Sequence, residues 1–342
     1  MKWQRWLFLG LAFCSIGRAE DSSGLQVSAS VESVGQAGIA GNSEANNKLI
    51  IRTGEFMLAA PADHLFDGTL SFAAHDENEG IPVPELHEAW IGSTKLIPRS
   101  RFRLGQFFLG IGRLNQFHLH DWPFITAPRV QREFLAFEGV IDTGFEFSYL
   151  LPLPFFLELT LGLTNGYTFG HDHTAGQKPK LPTHYARAVT FKELPGDGGA
   201  QIGVSYVGRR SDADQRLTLV GLDFTAKWKE AKVTDLLIQS EVWHRTQQSE
   251  AALGFYVYPQ KYLGENLFLG IRADYFSILN NGVKNFDVKL VPTLSYQSSE
   301  FAQFRIAYNF KTDYFRDHFN PSSHMIEGQA IFILGAHPAH DF

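Results

Sequence analysis

Four histidines in this chain stand in chelating pairs. His118-Leu119-His120-Asp121 and His171-Asp172-His173 each place two imidazoles two residues apart with a carboxylate beside them. On extended backbone, residues i and i+2 point to the same side, so each pair could hold zinc, nickel or copper through neutral ring nitrogens. The candidate metal ligands are therefore His118, His120, Asp121, His171 and His173, and the candidate ion is Zn2+. His337 and His340 add to a total of 13 histidines, but no four-ligand zinc spacing is visible, and solvated loops also carry histidine.

A second group of residues could act on passing ions. The longest break in the chain's alternating pattern, 111–142, carries Arg113, Asp121, Arg129, Arg132, Glu133 and Glu138 beside the first histidine pair. Charges of both signs set selectivity where a loop folds into an aqueous pore and narrows it. The plainer reading is a solvated surface loop. Trp122-Pro123-Phe124 favours insertion, because an apolar cluster in a polar loop needs something to pack against.

A third group is spread along the chain on the polar side of alternating segments. It comprises Arg103, Glu146, Glu158, Asp223, Glu241, Arg272, Asp274, Asp287, Lys289 and Arg305. Both signs are present, which predicts paired charges lining a lumen rather than a strongly anion- or cation-selective path. No nucleophile motif stands out and no phosphate-cradling glycine loop precedes a helix, so the chain does not read as an enzyme. The net charge of -6 argues against nucleic acid as a partner.

The elements that must position these groups are strands. In 155–164, FFLELTLGLT, the residues Phe155, Leu157, Leu159, Leu161 and Leu163 share one parity, and Glu158, Thr160 and Thr164 the other. That period of two marks an extended strand with one oily and one mixed face. A similar arm, 143–151, precedes it across the joint Pro152-Leu153-Pro154. Arms of this kind recur at 25–31, 48–58, 65–74, 84–94, 101–110, 185–193, 200–208, 217–228, 235–244, 252–258, 267–276, 286–296, 301–310 and 324–334, about sixteen in all. The expected fold is all-β: a transmembrane antiparallel up-and-down β-barrel, in which a tilted strand of about 9 to 11 residues crosses the hydrocarbon layer. The predicted short joints near Pro61, 95–100, Pro152, 195–199, 229–234, 259–265 and 297–300 then belong to one rim. The long connections 111–142, 165–183 and 311–323 belong to the other. The glycine- and asparagine-rich stretch 34–47 reads as a loop. A soluble secreted β-sandwich is the competing architecture.

The composition agrees with strands that face lipid. Phenylalanine is abundant, 30 residues against 3 methionines, which suits aromatic girdles at two interfaces. Residues 1–19 have a basic head, an apolar run too short to span as a helix, and a small residue at Ala19, the pattern of a cleaved signal peptide. Cys14 would suit a lipid anchor, but Phe13 before it is bulky. Past that cysteine the chain has none, so an exported form has no disulfides and needs another source of stability, such as a closed backbone ladder.

Where LHEAWIG (86–92) is followed by RFRLGQFFLGIGRLNQFHLHDWPF (101–124), the sequence resembles Gram-negative porin-like outer-membrane proteins. It is most similar to a sparsely characterised group, some described as zinc-regulated outer-membrane receptors, with a similar histidine-and-tryptophan loop and a similar GAHPAH ending. The resemblance implies a barrel in the cell outer membrane; because a lumen of about sixteen strands leaves an aqueous channel, the expected function is a porin-like channel for passive diffusion of small hydrophilic solutes. The alternative it implies is a metal-responsive binding protein whose barrel is an anchor. Expected partners are outer-membrane lipid and lipopolysaccharide, the barrel-insertion machinery, and other copies of the chain in a homo-oligomer. A receptor driven by the TonB system would need a plug domain and a barrel of about 22 strands, too much for 342 residues.

Overall fold

The computed structural model describes residues 24–40, 47–76, 83–166, 179–211, 216–230, 233–248, 250–280, 283–315 and 318–335. Their strands, in chain order, are β1 (Gln26–Ala40), β2 (Lys48–Pro61), β3 (Asp67–His75), β4 (Val83–Ser93), β5 (Ser100–Phe108), β6 (Ile141–Leu150), β7 (Phe156–Thr164) and β8 (Pro179–Leu194). They continue as β9 (Gly198–Ser211), β10 (Arg216–Glu230), β11 (Val233–Gln247), β12 (Glu250–Gly264), β13 (Leu267–Asn280), β14 (Val283–Ser299), β15 (Ala302–Phe315), the two-residue β16 (His318–Phe319) and β17 (Ser323–Gly335). Every long strand pairs antiparallel with its neighbours, and β1 pairs with β17 from Ser28↔Gly335 to Ala40↔His324. Setting aside the short β16 finger, the chain is a closed sixteen-strand barrel. Closure leaves no edge, so the strand amides find partners without water.

The alternation reads out as lipid-facing and lumen-facing. On β7, Leu159, Leu161 and Leu163 are 40%, 59% and 53% exposed, whereas Thr160 and Thr164 on the alternate parity are 5% and 2% exposed. On β13, Leu269 and Ile271 face out while Arg272 and Asp274 are buried inside. Apolar side chains bare on the outside and charges buried within are the reverse of a water-soluble protein.

Several boundaries depart from the sequence reading: β8 begins at Pro179 and β15 runs to Phe315, inside the expected connections 165–183 and 311–323, and three others are informative. β1 runs through Ala40 across glycines expected to form a loop, because Gly35 faces Gly328 in a ladder that needs only backbone. β12 continues to Gly264, and its turn is Glu265-Asn266, both with positive φ as a tight hairpin requires. Pro259 misled that reading: it lacks an N–H, and the β12–β13 ladder skips from Val257 to Gln260. The expected long connections at one rim are confined to part of the barrel. β11 ends at Gln247 and β12 begins at Glu250, so that rim also carries a very short connection.

The connection between β5 and β6 turns inward instead of standing out in solvent. It contains two 3-10 turns, Leu114–Gln116 and Leu119–Asp121, and the short helix α1 (Arg129–Leu135). No helical period in the sequence pointed to these. The connection's Leu109, Ile111, Leu114, Trp122 and Phe124 are at most 1% exposed. They pack against lumen-facing Tyr185, Val207, Trp243, Tyr256 and Phe276, so the main apolar core lies inside the cylinder.

Candidate functional site

Two breaks in strand alternation shape one side of the lumen. In the β1–β2 ladder, Glu32 faces Thr53 but Ser33 faces Ile51, leaving Arg52 as an extra residue. In the β3–β4 ladder, Ser71 faces Glu88 but Phe72 faces Leu86, so His87 is extra. A bulge lets two successive side chains point the same way and is a common device for re-aiming them. Arg52 and Thr53 are accordingly both buried, as are His87 and Glu88.

These re-aimed groups meet the inserted connection. His118 Nδ1 lies 2.8 Å from Glu55 Oε1, and its Nε2 lies 3.3 Å from Glu88 Oε2. His120 reaches the second Glu55 oxygen at 3.4 Å and Asp121 at 3.5 Å. His75, at the end of β3, has its Nδ1 2.7 Å from Glu138 Oε1 and its Nε2 2.6 Å from His87 Nε2. The His75 and His87 rings stack 4.6 Å apart, tilted by 16°. Ser71 donates to Glu55 at 2.7 Å, and Thr53 Oγ1 lies 3.3 Å from His75 Nδ1. Burial alone would lower the His118 imidazole, but the Glu55 carboxylate outweighs it and holds the ring well above the ordinary range. His120 is also raised: Asp121 and Glu55 together overcome its burial. Ligand atoms of Glu55, His87 and His118, and again of His75, His87 and Glu138, lie within 4.8 Å of one another.

The rest of the connection is bolted to the wall by directed bonds. Gly110 N–H donates to Glu146 at 2.9 Å, Gly112 N–H to Ser205 at 3.0 Å, and Leu114 N–H to Glu241 at 2.8 Å. Glycine is required at 112: its φ is +57°, and a Cβ there would sit 2.5 Å from Glu241 Oε2. Arg52 pairs with Glu32 and donates to the Ile125 carbonyl at 2.6 Å. Arg272 pairs with Asp274 at 2.8 Å, donates to the Thr126 carbonyl, and lies 4.5 Å over the Phe124 ring. Tyr258 donates to the Pro123 carbonyl at 2.9 Å. Buried charges on the wall thus hold the connection's backbone.

The residues expected from sequence divide between these two arrangements. His118, His120 and Asp121 lie in the histidine cluster; His171 and His173 fall outside the described residues, as do His337, His340 and residues 1–23. Of the residues expected at a constriction, Glu138 sits between His75 and His87. Arg113 is buried, 4.3 Å over the Phe117 ring, and donates to Gln201 at 3.2 Å; burial pushes its guanidinium down to about 10. Arg129 pairs with Asp287 and with Glu133 on its own helix, while Arg132 is exposed. Among the lumen charges, Arg103 pairs with Glu146 at 2.6 Å and Asp223 with Arg187 at 2.7 Å. Arg305 donates to Gln329 and Gln303, both at 2.8 Å. Glu158 and Lys289 keep the inward parity of Thr160 and Asp287 on the same strands.

Sequence reasoning missed Glu55, His75, His87 and Glu88 as members of the site. The adjacent His87-Glu88 pair in an alternating segment was the one available signal, since both can face inward only if the strand is bulged.

No family model matches the chain. An uncharacterised protein of Aquifex aeolicus is 26% identical over 340 residues, spanning 84% of this chain and 69% of that protein. Among solved structures, the outer-membrane channel DcaP of Acinetobacter baumannii superposes with a TM-score of 0.63 at 12% identity, over 92% of this chain and 99% of that one. The trimer form of OmpT, an outer-membrane protein of Vibrio cholerae, gives 0.62 at 9%, over 92% and 100%. An anion-selective porin from Comamonas acidovorans gives 0.53 at 7%, over 91% and 99%. At these identities the likeness is one of fold.

Proposed function

We propose that this chain is an outer-membrane channel through which small hydrophilic solutes diffuse, narrowed by the inserted connection between β5 and β6. The observation that carries the reading is the seating of that connection inside a closed cylinder whose outer face is apolar and whose inner face is charged. The channel and porin named above share this fold. Arg129, Arg132 and Glu133, which are not buried, are then groups that a solute meets at the narrowing. A cavity of about 450 Å3 beside α1, lined among others by Arg129, Arg132, Glu133, Lys311 and Asp313, is an approach to it. Because so many lumen charges are already paired and buried, the expected conductance is small.

The setting follows from the same reading. The outer face meets outer-membrane lipid and, in the outer leaflet, lipopolysaccharide; the chain is exported through a signal peptide cleaved after Ala19 and inserted by the barrel-insertion machinery. It assembles with copies of itself, as the trimer form of OmpT does. N-terminal sequencing of the mature protein and cross-linking in membranes test these points.

The deciding experiment is planar-bilayer recording on barrel whose folding is verified by heat-modifiable gel migration. Discrete, reproducible current steps are expected. A folded barrel that leaves the membrane sealed overturns the channel and favours the second reading, a metal-responsive binder with the barrel as anchor. The observation behind that second reading is the histidine and carboxylate cluster.

A further inference from the structure

We infer that the cluster joining β2, β3 and β4 to the inserted connection is a binding site for one divalent first-row transition metal ion, of the zinc and cobalt type, and that the ion fastens the connection to the wall. The inference does not depend on whether the lumen conducts.

The donors come from separate parts of the chain. Glu55 lies on β2, His75 ends β3, His87 is the bulged residue of β4, and His118 and Glu138 lie twenty residues apart in the connection. Their side chains form two triads that share His87, Glu55-His87-His118 and His75-His87-Glu138, and within each triad the ligand atoms lie within 4.8 Å of one another. All five residues are buried. Donor atoms around a tetrahedral zinc stand roughly 3.3 Å apart, given ligand bonds of about 2.0 to 2.1 Å. The two Nε2 atoms of His75 and His87 stand 2.6 Å apart and His87 Nε2 stands 3.5 Å from Glu138 Oε2, with every ligand atom of a triad within 4.8 Å of the others. Two imidazole nitrogens cannot face each other that closely with both lone pairs bare. A proton or a metal ion must lie between them, and a metal ion needs the pair to open by about 0.7 Å.

The chemistry of the donors selects the ion. Imidazole with carboxylate and no thiolate suits zinc, cobalt, nickel and iron, while calcium and magnesium want six or more oxygens. The surroundings also match a metal centre: Ser71 donates to Glu55, and Thr53 and Ser30 lie beside His75 Nδ1 and His120 Nδ1 at 3.3 and 3.4 Å. His120, Asp121 and Glu88 flank the donors and supply balancing charge. Because each triad joins one residue of the connection, His118 or Glu138, to residues of the wall, an ion held in either triad ties the connection to the wall.

The test uses full-length mature protein refolded in detergent, stripped with chelator, and titrated with zinc in excess magnesium. Expected are saturation near one zinc per chain, and visible ligand-field bands when cobalt replaces zinc. His87→Ala is expected to weaken binding at least a hundredfold and erase those bands; Glu138→Gln is expected to weaken it about tenfold. His171→Ala/His173→Ala is expected to leave both unchanged. Zinc is also expected to slow tryptic cleavage after the exposed Arg132 at least tenfold in the parent and not in His87→Ala. Should His87→Ala fail to fold, as judged by heat-modifiable migration, His87→Gln takes its place. No saturable binding above magnesium, binding indifferent to His87, or binding lost instead with His171 and His173 overturns the inference.

Discussion

Replacing Phe124 with alanine isolates the inserted connection from the barrel that holds it. The Phe124 ring is fully buried and meets the edges of Tyr256 and Tyr258 with centroids 5.6 and 5.4 Å away; the Arg272 guanidinium lies 4.5 Å over it. Phenylalanine-to-alanine changes at such sites cost about 3 to 5 kcal/mol. The loss falls on the docking of the connection, because every strand of the wall keeps its ladder and Tyr258 keeps the Pro123 carbonyl. Taking about 3 kcal/mol, and about 1.4 kcal/mol per factor of ten, the undocked population should rise on the order of a hundredfold. Planar-bilayer recordings should show longer and more frequent visits to a higher-conductance level, and trypsin should cut after Arg132 correspondingly faster. A folded Phe124→Ala barrel with parental currents and parental cleavage kinetics would refute the claim that this ring helps hold the connection in place.

Other substitutions probe separate links. Arg103→Ala strands the buried Glu146 carboxylate, which also accepts from Gly110 N–H and Tyr185. The expected cost is about 3 to 5 kcal/mol in denaturant titrations, most of it recovered when Glu146→Gln is added; no recovery would mean that packing, not charge, dominates there. Leu161→Arg places a cation on the lipid face, where about 2 to 4 kcal/mol is expected near the bilayer midplane. Equal stability of variant and parent in liposomes would contradict the assignment of that face to lipid. Glu241 accepts from Leu114 N–H, Trp243 and Tyr256, so Glu241→Gln should weaken charge-assisted bonds worth about 1.5 to 3 kcal/mol each. Cleavage within the connection should quicken roughly tenfold, and an unchanged rate would show that these bonds do not restrain it.

The histidine cluster shows why part of a site is legible and part is not. His118 and His120 announce themselves because two imidazoles at i and i+2 are a local pattern. His75 and His87 carry no such mark, being single histidines in strands where a lone histidine is ordinarily a packed or solvated side chain. Their meeting depends on a bulge at His87 that the alternating pattern hides. Glu138 illustrates the opposite error: its place in a charged loop suggested a group facing solute, but the fold seats it against two imidazoles.

The period-two alternation determined the strands, their number and the parity of β7 and β13, because lipid on one side and charge on the other impose a rule that strand residues away from bulges obey locally. The length of the connection between β5 and β6 and its Trp122-Pro123-Phe124 cluster pointed inward for the same reason: apolar surface must be covered. What only the tertiary structure decided is which wall that connection meets, and therefore that residues as distant in sequence as Glu55 and Glu138 come to share one buried site. Register, two bulges and the seating of a loop are long-range choices, and no short window of sequence contains the partners whose contact energies settle them.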